Sequence, residues 1–480
     1  MDPIDMNYHR LILICILLLS ATAQAQVPTE SSLEQAVAAA TDDLPHHVIL
    51  IIGDGMDEQQ VTIARNYLKG ANGRLVMDRL PLRAASQILT TEDKLNGRPV
   101  YVADSANTAT SMATGVVTSR GRLSTTAGGD KDIPTIAELA KAAGFKTGIV
   151  STSSVTDATP AAFATHISYR LCENPDIVEQ VEYKGIDLGG CPQDARKNGG
   201  LGAVSEQLAN SNMDVILGGG SKHFAVNAEG QDISVLALAQ SNGFQTVDSA
   251  SALEASKPGQ PLLGLFAEST LPVRLRGEDG RQAEMPEPSL LNRVHEYLGD
   301  AELPEVMICE PNPDFAEMPT LKQMTDAALA HLSANNDKGF FLMIESASID
   351  KQSHERKPCG SIGEVEQLEE ALQSALAFSR THPKTLILVT ADHSQAAQLI
   401  PYESLFSAYP IPVYTPGYLA QIETPEGSVM SVNYATTNFM MEEHTGAAVP
   451  LYANSQGQGK IPAFVQQPEI FKIMMDYLGL

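Results

Sequence analysis

The stretch Val48-Ile-Leu-Ile-Ile52-Gly-Asp54-Gly-Met56 decides the fold of this chain. Residues 47–52 form a continuous apolar run rich in β-branched side chains, which is typical of a strand buried on both faces. Runs of the same kind recur at 145–152, 213–217, 339–345 and 385–390. Between them lie segments whose apolar residues follow the helical period of about 3.6, and these are 135–143, 321–332 and 364–379.

Strands that alternate with helices predict an α/β fold, with a large, mostly parallel central sheet and helices on both faces. The length of 480 residues would by itself allow about three domains. Because the chain has no clear linker, we predict one large domain over 46–480 instead. Residues 400–435 are rich in Pro, Gly, Tyr and Ser, which predicts a small inserted subdomain. Ligands of such sheets bind outside the carboxyl ends of the strands, so the site is expected there.

The composition is strongly acidic. The chain has 32 Lys and Arg residues against 58 Asp and Glu residues, which gives a formal net charge of −26. A surface of this sign repels nucleic acid and anionic membranes, so neither is expected as a partner. The simplest interpretation is a well-solvated acidic surface, and any site for an anionic substrate must be made positive locally.

Residues 1–25 have the form of a secretory signal peptide. A short polar start precedes an apolar run over 11–19, and Ala-Thr-Ala-Gln-Ala follows at 21–25. The run is too short to span a bilayer and ends at a cleavage signal, after Ala23 or Ala25. We therefore expect a periplasmic or secreted protein, with 26–45 as a surface arm and no membrane attachment after cleavage. A buried core helix is the alternative interpretation of the apolar run.

Cysteine usage agrees with export. Four cysteines follow the leader, which contains Cys15, and they are Cys172, Cys191, Cys309 and Cys359. An even number in an exported chain predicts two disulfides, with three possible connectivities. The C-x-x-C spacing is absent from the sequence, which disfavours a structural zinc knot.

Side chains of the metal-binding types follow several of the apolar runs. Asp54 comes directly after the first run, between two glycines that let the backbone turn sharply. Asp350 and His354 follow the 339–345 run and are four residues apart, so both lie on one face of a helical turn. A carboxylate and an imidazole aimed at one point form a zinc-type pair. The alternatives are an ordinary Asp-Gly turn and an exposed hydrogen bond along a helix.

The 385–390 run is followed by a second group of this kind. Asp392 and His393 are adjacent, and both can reach a metal only from an irregular loop, which the end of a buried strand supplies. His444, in Glu-His-Thr-Gly at 443–446, is a further candidate. Because several strand ends carry such residues, we prefer a metal site to a set of independent structural roles.

The candidate nucleophile is Ser105, which follows Asp104 at the start of an alanine-rich stretch. These two residues also have the form of a plain helix N-cap. A serine at a helix N-terminus faces free backbone N–H groups, which favour a phosphoryl oxyanion. No His–Asp relay is evident for Ser105, so a nearby metal would have to ionise its hydroxyl.

A second polar stretch, 151–162, contains Asp157 and Thr159 and is followed by Arg170. Asp157 and Thr159 offer oxygen ligands suited to magnesium. The guanidinium of Arg170 offers a planar fork for two phosphate oxygens. The sequence has no G-x-x-x-x-G-K-[ST] phosphate loop.

Taken in order, these motifs resemble those of the alkaline phosphatase family, most closely its bacterial periplasmic form. The similarity extends from about residue 45 to the end of the chain. The six motifs are Gly-Asp54-Gly, Asp104-Ser105-Ala, Asp157-Ala-Thr159-Pro, Glu345 with Asp350-Lys351 and His354, Thr-Ala-Asp392-His393, and Glu-His444-Thr-Gly. The resemblance implies hydrolysis of phosphate monoesters with broad specificity, through a phosphoserine at Ser105, by the 46–480 domain, and it implies a homodimer.

The resemblance also implies two zinc ions and one magnesium ion per chain, with a ligand set for each. Zinc would bind Asp350, His354 and His444 at one site and Asp54, Asp392 and His393 at the other, while magnesium would bind Asp54, Thr159 and Glu345. Arg170 would clamp the phosphate and Lys351 would reach it through water. The presence of Asp157 and Lys351 at their two positions implies that the third site holds magnesium. The implied disulfides are Cys172–Cys191 and Cys309–Cys359.

One position departs from the family pattern. Close relatives have a second histidine two residues after the one that corresponds to His393, and this chain has Gln395 at that position. In the family that histidine supports a zinc-binding carboxylate, and such changes cost about 10–100-fold in metal affinity or activity. We therefore expect weaker zinc binding at the Asp350 site and an unchanged reaction type.

Two other functions fit part of the pattern. A phosphodiesterase or sulfatase-like hydrolase of the same fold would use similar metal ligands. However, the Cys/Ser-x-Pro-x-Arg context of sulfatases is absent around Ser105. An exported, non-catalytic protein that binds metal or phosphate would keep Asp54, Asp392 and His393 but would not need a nucleophile.

Overall fold

The computed structural model of the protein describes residues 44–295, 298–299, 301–402 and 416–480. The predicted signal peptide, the arm up to residue 43, and residues 403–415 of the predicted insert lie outside the described residues.

Ten strands form the central sheet. In chain order they are β1 His46–Gly53, β2 Leu82–Gln87, β3 Lys146–Ser154, β4 Val215–Gly219, β5 Gln245–Val247, β6 Leu262–Leu265, β7 Gly339–Ser346, β8 Thr385–Ala391, β9 Val449–Ala453 and β10 Phe464–Gln466. They lie in the order β10-β2-β9-β8-β1-β7-β3-β4-β6-β5. β9 runs antiparallel to both neighbours, and the other strands all run in one direction. The predicted mostly parallel sheet is therefore confirmed.

Both faces of this sheet are buried. Along β1, Val48, Leu50 and Ile52 belong to one hydrophobic core, whereas Ile49 and Ile51 belong to another on the opposite face. Successive side chains of a strand point to opposite faces, so a continuous apolar run fills two cores at once. The predicted arrangement, with helices on both faces, is confirmed because helix residues such as Met112 pack in the first core and others such as Leu368 pack in the second.

The helices range from one turn to 24 residues. The five longest are Glu58–Lys69, Ser105–Thr114, Leu321–Ser333, Pro358–Thr381 and Gln467–Leu478. The short ones are Ile136–Ala142, Ala158–Ala162, Val204–Ala209, Ser221–Ala225, Val235–Ser241, Ala250–Ala255, Leu290–Val294 and Ser348–His354. Across the described ranges, no helix is both long and apolar enough to cross a membrane.

A smaller sheet stands apart from the central one. Its strands are Gln398–Ile400, Tyr418–Glu423 and Val429–Tyr434, all antiparallel to their neighbours. Single bridges join it to Glu284 and Met307, so residues from well outside 400–435 pack with it. Two-stranded ribbons are formed by Leu275–Gly277 with Cys309–Pro311, Glu287–Pro288 with Ala301–Glu302, Thr90–Thr91 with Pro99–Val100, and Glu182–Tyr183 with Ile186–Asp187.

Both implied disulfides are present. Cys172 is bonded to Cys191, and Cys309 is bonded to Cys359. The second bond ties the ribbon strand Cys309–Pro311 to the first turn of the helix Pro358–Thr381. That helix begins four residues after His354, so the bond anchors a segment next to a candidate metal ligand.

Candidate active site

Three adjacent strands bring the predicted residues to one edge of the central sheet. β1 lies between β7 and β8, and Gly53 is aligned with Ser346 on one side and with Ala391 on the other. Asp54 and Asp392 are therefore the first residues after neighbouring strand ends, and Glu345 lies at the end of β7. Because parallel strands end at the same edge, the sequence order of these motifs becomes spatial proximity.

Asp54, Asp392 and His393 form the first cluster, which we call the Asp54 group. The Nε2 atom of His393 lies 3.3 Å from Oδ1 of Asp54 and 3.3 Å from Oδ2 of Asp392. All three residues are buried. Asp392 is held in place because its Oδ1 atom accepts hydrogen bonds from the backbone N–H groups of Gly55 and His393, at 3.0 and 2.8 Å.

Asp350, His354 and His444 form the second cluster, which we call the Asp350 group. Nε2 of His354 lies 3.3 Å from Oδ2 of Asp350, and Nε2 of His444 lies 3.3 Å from Oδ1 of the same carboxylate. The two imidazole Nε2 atoms are 3.0 Å apart. The rings of His393 and His444 are stacked with centroids 3.7 Å apart, so the two groups adjoin. His393 also groups with Asp350 and His444 within metal-binding range.

Hydrogen bonds at the far side of each ring orient the three histidines. The Nδ1 atoms of His354, His393 and His444 face the backbone carbonyls of Glu442, Ser394 and Ala103, at 2.5, 3.3 and 2.8 Å. A carbonyl oxygen only accepts hydrogen bonds, so Nδ1 carries a proton and donates it. In the neutral ring Nε2 then has a free lone pair, which is the arrangement that metal-binding histidines have.

The charges in the site also match cations. Burial and the nearby Asp392 carboxylate raise the pKa of Asp54 well above its usual value. Burial lowers the pKa of His393 to about 4. Burial alone would lower the pKa of His444, but the Asp350 carboxylate raises it to about 9. Buried carboxylates that repel one another, beside imidazoles whose Nε2 atoms face them, are a donor set that fits divalent cations such as zinc, which would displace the proton that His444 otherwise carries.

The hydroxyl of Ser105 lies within the Asp54 group. Its Oγ atom is 3.1 Å from Nε2 of His393 and 3.5 Å from Oδ1 of Asp54. Ser105 is the first residue of the helix Ser105–Thr114, and Asp104 caps that helix by accepting from the N–H of Asn107. The N-cap interpretation and the nucleophile interpretation of this stretch are thus both compatible with the geometry.

A basic pair, Arg170 and Lys351, lies near the Asp54 group, since both side chains interact electrostatically with Asp54. Nη2 of Arg170 donates to Oδ1 of Asp157 at 2.8 Å, and Nη1 lies 3.5 Å from Oδ2 of Asp104. Nζ of Lys351 is bonded to Oδ2 of Asp157. Burial alone would raise the pKa of Asp157, but Lys351 and Arg170 hold it well below its usual range. Both Asp157 oxygens contact these cations, so Asp157 positions the two basic groups.

Glu345 and Thr159 lie next to these ion pairs, since Glu345 interacts electrostatically with Asp157 and Lys351. Oε2 of Glu345 accepts hydrogen bonds from the hydroxyls of Ser151 and Ser153. Burial raises the pKa of Glu345 to about 7, although the Ser151 hydrogen bond opposes this. The hydroxyl oxygen of Thr159 is buried and has no hydrogen-bond partner among the described residues. Together with Asp54, these oxygens are ligands of the type that magnesium prefers.

Gln395 donates a hydrogen bond to the Asp350 carboxylate, which is the support that the family's histidine is expected to give. Its Nε2 atom donates to Oδ1 of Asp350, and its Oε1 atom accepts from the N–H of Ala396 at 2.8 Å. The second bond fixes the amide so that its NH₂ group faces the carboxylate. The side chain therefore orients Asp350 without a ring that can gain or lose a proton.

The sequence did not identify two supporting carboxylates. Asp57 accepts from the hydroxyl of Ser394 at 2.5 Å and from the N–H of Gln395 at 3.3 Å, which braces the loop after Asp392. Asp104 accepts from the N–H of Gly121 at 3.0 Å while it faces Arg170. Both are N-cap residues of helices, and nothing in the local sequence distinguishes these roles from capping.

Comparison with known proteins agrees with this geometry. The family model described as alkaline phosphatase matches residues 46–440. The chain belongs to the alkaline phosphatase family. The alkaline phosphatase of Escherichia fergusonii is 39% identical over 457 residues, which cover 93% of this chain and 89% of that protein. The enzyme of Escherichia coli is 39% identical over 448 residues, which cover 92% and 87%.

A solved structure shows the same fold. The alkaline phosphatase from the Antarctic bacterium TAB5 has a TM-score of 0.63 and 20% identity, and the match covers 91% of this chain and 99% of that one. Because the chain belongs to this family and is 39% identical to two alkaline phosphatases, it is an enzyme that hydrolyses phosphate monoesters. The predicted family, fold class and enzyme class are confirmed.

Proposed function

We propose that this alkaline phosphatase transfers the phosphoryl group of its substrate to Ser105 and then hydrolyses the phosphoserine. The observation that carries the proposal is the position of Ser105 Oγ, 3.1 Å from His393 Nε2 and 3.5 Å from Asp54 Oδ1. A hydroxyl placed among residues that fit a divalent cation can ionise near neutral pH, whereas a free serine does not.

The donor set supports two zinc ions and one magnesium ion per chain. Zinc would be held by the Asp54 group and by the Asp350 group, and magnesium by Asp54, Thr159 and Glu345. When bound, these ions lower the pKa of hydroxyl groups and water and stabilise negative charge on the attacking and leaving oxygens. Metal binding of this kind displaces protons from the ligands. The positive charge of the bound ions then offsets the repulsion among the buried carboxylates.

The positions of the two groups support one side for the attacking oxygen and the other for the leaving oxygen. Ser105 lies in the Asp54 group, and the Asp350 group adjoins it through the stacked rings of His393 and His444. Attack by Ser105 Oγ on phosphorus, after its proton is lost to solvent, forms the new P–O bond while the bond to the leaving oxygen breaks. In-line transfer places that leaving oxygen away from Ser105, on the side of the Asp350 group.

Arg170 and Lys351 supply the local positive charge that an anionic substrate needs in a chain of net charge −26. Burial opposes the charged form of Arg170, but Asp157 and Asp104 raise its pKa above the usual value, so it stays protonated. Its guanidinium can bind two phosphoryl oxygens as a fork. In the second step a water oxygen attacks phosphorus, the bond to Ser105 Oγ breaks, and inorganic phosphate leaves.

The test measures phosphate on Ser105 and metal in the protein together. Purified protein is given p-nitrophenyl phosphate, quenched in acid, and digested for mass spectrometry, and metal content is determined before and after chelator treatment. We expect phosphate on the peptide that contains Ser105, about two zinc and one magnesium per chain, and no turnover after chelation. Turnover without modification of Ser105 would contradict the phosphoserine route.

We further infer export and a homodimer. Export is supported by the signal-like pattern of residues 1–25 and by the cysteine usage of the chain. The domain arrangement that accompanies this is a signal peptide over 1–25, an arm over 26–45 and a catalytic domain over 46–480 with an insert near 400–435. N-terminal sequencing of the exported protein and sedimentation of the purified protein test these two inferences.

A further inference from the structure

We infer that the loop tip Phe439–Met441 is an apolar rim that contacts the leaving group of the substrate, and so favours phosphate monoesters with aromatic or extended apolar leaving groups. The inference rests on the proposed function, because it uses the direction in which the leaving group departs.

The tip is exposed and apolar. Phe439, Met440 and Met441 are 68%, 64% and 50% exposed. Scattered apolar residues are normal on a protein surface, but three in a row at one loop tip form a continuous apolar surface. Tyr101, which is 82% exposed, lies on a second segment, two residues before Ala103, whose carbonyl oxygen is bonded by His444.

Buried charges fix the shape of the tip. Arg356 is 5% exposed, and its Nη2 atom donates to the carbonyl oxygens of Phe439 and Thr437 at 2.7 and 3.3 Å. Its Nε atom donates to Oε1 of Glu442 at 2.6 Å. Oε2 of Glu442 accepts from the N–H and hydroxyl of Thr436, at 2.9 and 2.5 Å.

A buried ion pair of this kind does not by itself indicate stability, because removing both charges from water is costly. Here, however, the guanidinium bonds the backbone of the exposed segment directly. The pair therefore determines where the apolar side chains of the tip are held, and a preformed surface loses less entropy when it binds.

The same residues attach the tip to the Asp350 group. The carbonyl oxygen of Glu442 accepts from Nδ1 of His354 at 2.5 Å, and its N–H donates to the carbonyl oxygen of His354 at 3.0 Å. His444 follows the tip by three residues, and its Nδ1 atom donates to the carbonyl oxygen of Ala103, two residues after Tyr101. Tyr101 and the tip thus flank the Asp350 group on two chain segments.

The occupant follows from this position. In the proposed reaction the leaving oxygen faces the Asp350 group, so the substituent on that oxygen extends toward the segments that flank His354 and His444. A small polar leaving group stays hydrated there. An aromatic or long apolar one can lie against the phenyl ring and thioethers, which are well suited to irregular apolar ligands.

The test compares substrates that differ in the leaving group. The variant Phe439→Ser/Met440→Ser/Met441→Ser and the unchanged protein are assayed with 2-naphthyl phosphate and with glycerol 3-phosphate, and inorganic phosphate is measured as a competitive inhibitor. We expect kcat/KM for the naphthyl ester to fall about three- to tenfold, as partial exposure of an aromatic contact predicts. We expect kcat/KM for glycerol 3-phosphate and the inhibition constant of inorganic phosphate to be the same in the variant and the unchanged protein.

Two further variants serve as controls. Phe464→Ser changes a phenylalanine of similar exposure, 56%, in the strand β10 and should leave the ratio of the two substrates unchanged. Phe439→Leu keeps an apolar side chain at the tip and should retain most of the preference for the naphthyl ester.

The outcomes separate the rim from the proposed function. An unchanged substrate ratio in the triple variant, an equal loss for both esters, or a change from dimer to monomer in sedimentation would overturn the rim; the last result would make the tip a subunit interface. If the unchanged protein hydrolyses neither ester, the proposed function fails instead.

Discussion

The two candidate cation groups of this alkaline phosphatase are held by different parts of the fold. The Asp54 group follows the ends of β1 and β8, and the side chains of His393 and Asp392 are fully buried. In the Asp350 group, His354 and His444 are 18% and 12% exposed, and His444 lies in a loop.

In the proposed reaction this difference separates the attacking side from the leaving-group side. On the side of Ser105, the central sheet fixes the ligands through backbone hydrogen bonds from adjacent strand ends. On the leaving-group side, side chains such as Gln395 and Arg356 fix them. A change in one side chain can therefore alter the second group while the first is unaffected, and the following predictions test that separation.

Replacement of the nucleophile has the largest expected effect. In Ser105→Ala, turnover of p-nitrophenyl phosphate should fall by about a thousandfold or more, because the covalent route is lost. The metal content should be retained, since no predicted ligand changes. Ser111→Ala is the control on the same helix, where the hydroxyl bonds the carbonyl oxygen of Asn107. Turnover near that of the unchanged protein would show that the Asp54 group does not prepare Ser105.

Replacement of His393 has the second largest expected effect, and comparison with a His354 variant distinguishes the two groups. His393 lies within ligand distance of both clusters, so His393→Asn should reduce zinc in both and lower turnover more than about a hundredfold. His354→Asn should reduce zinc only in the Asp350 group. Metal analysis after dialysis measures both, and His331→Asn is the control, because His331 bonds Ser256 in a different part of the chain. Equal zinc loss in the two site variants would contradict the separation.

Gln395 has an intermediate expected effect. Gln395→Leu removes the hydrogen bond to Asp350, and zinc affinity of the Asp350 group should fall about 10–100-fold, as changes beside metal ligands do. Competition with a fluorescent chelator measures this without turnover. Gln395→His introduces the residue that close relatives have at this position, so its zinc affinity should at least equal that of the unchanged protein. If the Leu variant binds zinc as tightly as the unchanged protein, Gln395 does not orient Asp350.

The smallest expected effect belongs to the loop that carries His444. Arg356→Lys keeps the positive charge beside Glu442 but loses the planar fork that bonds Thr437 and Phe439. We expect about two- to fivefold faster zinc loss from the Asp350 group, since Lys does not reproduce a multiply bonded guanidinium.

The matched control for that variant is Arg276→Lys, in a half-exposed pair with Glu310. It should leave zinc release unchanged. Faster zinc loss from the Asp54 group in Arg356→Lys would show that the two groups are coupled through the loop.

Much of the fold could be predicted because the central strands are continuous apolar runs. The five predicted runs all became strands of the sheet, since burial on both faces requires that pattern. The other five strands, β2, β5, β6, β9 and β10, were not predicted, because they are three to six residues long and are defined by pairing with distant parts of the chain. The participation of residues near 284 and 307 in the small sheet likewise depends on contacts that no local pattern encodes.

The sequence by itself determined the types of ligand and the family, because ordered motifs at strand ends are read without coordinates. Only the tertiary structure decided what each side chain does there. It directed both oxygens of Asp157 to Arg170 and Lys351, and it aimed the amide of Gln395 at Asp350. The physical reason is that hydrogen-bond partners are chosen by distance and direction in space, between residues that here are as far apart as 194 positions in the chain.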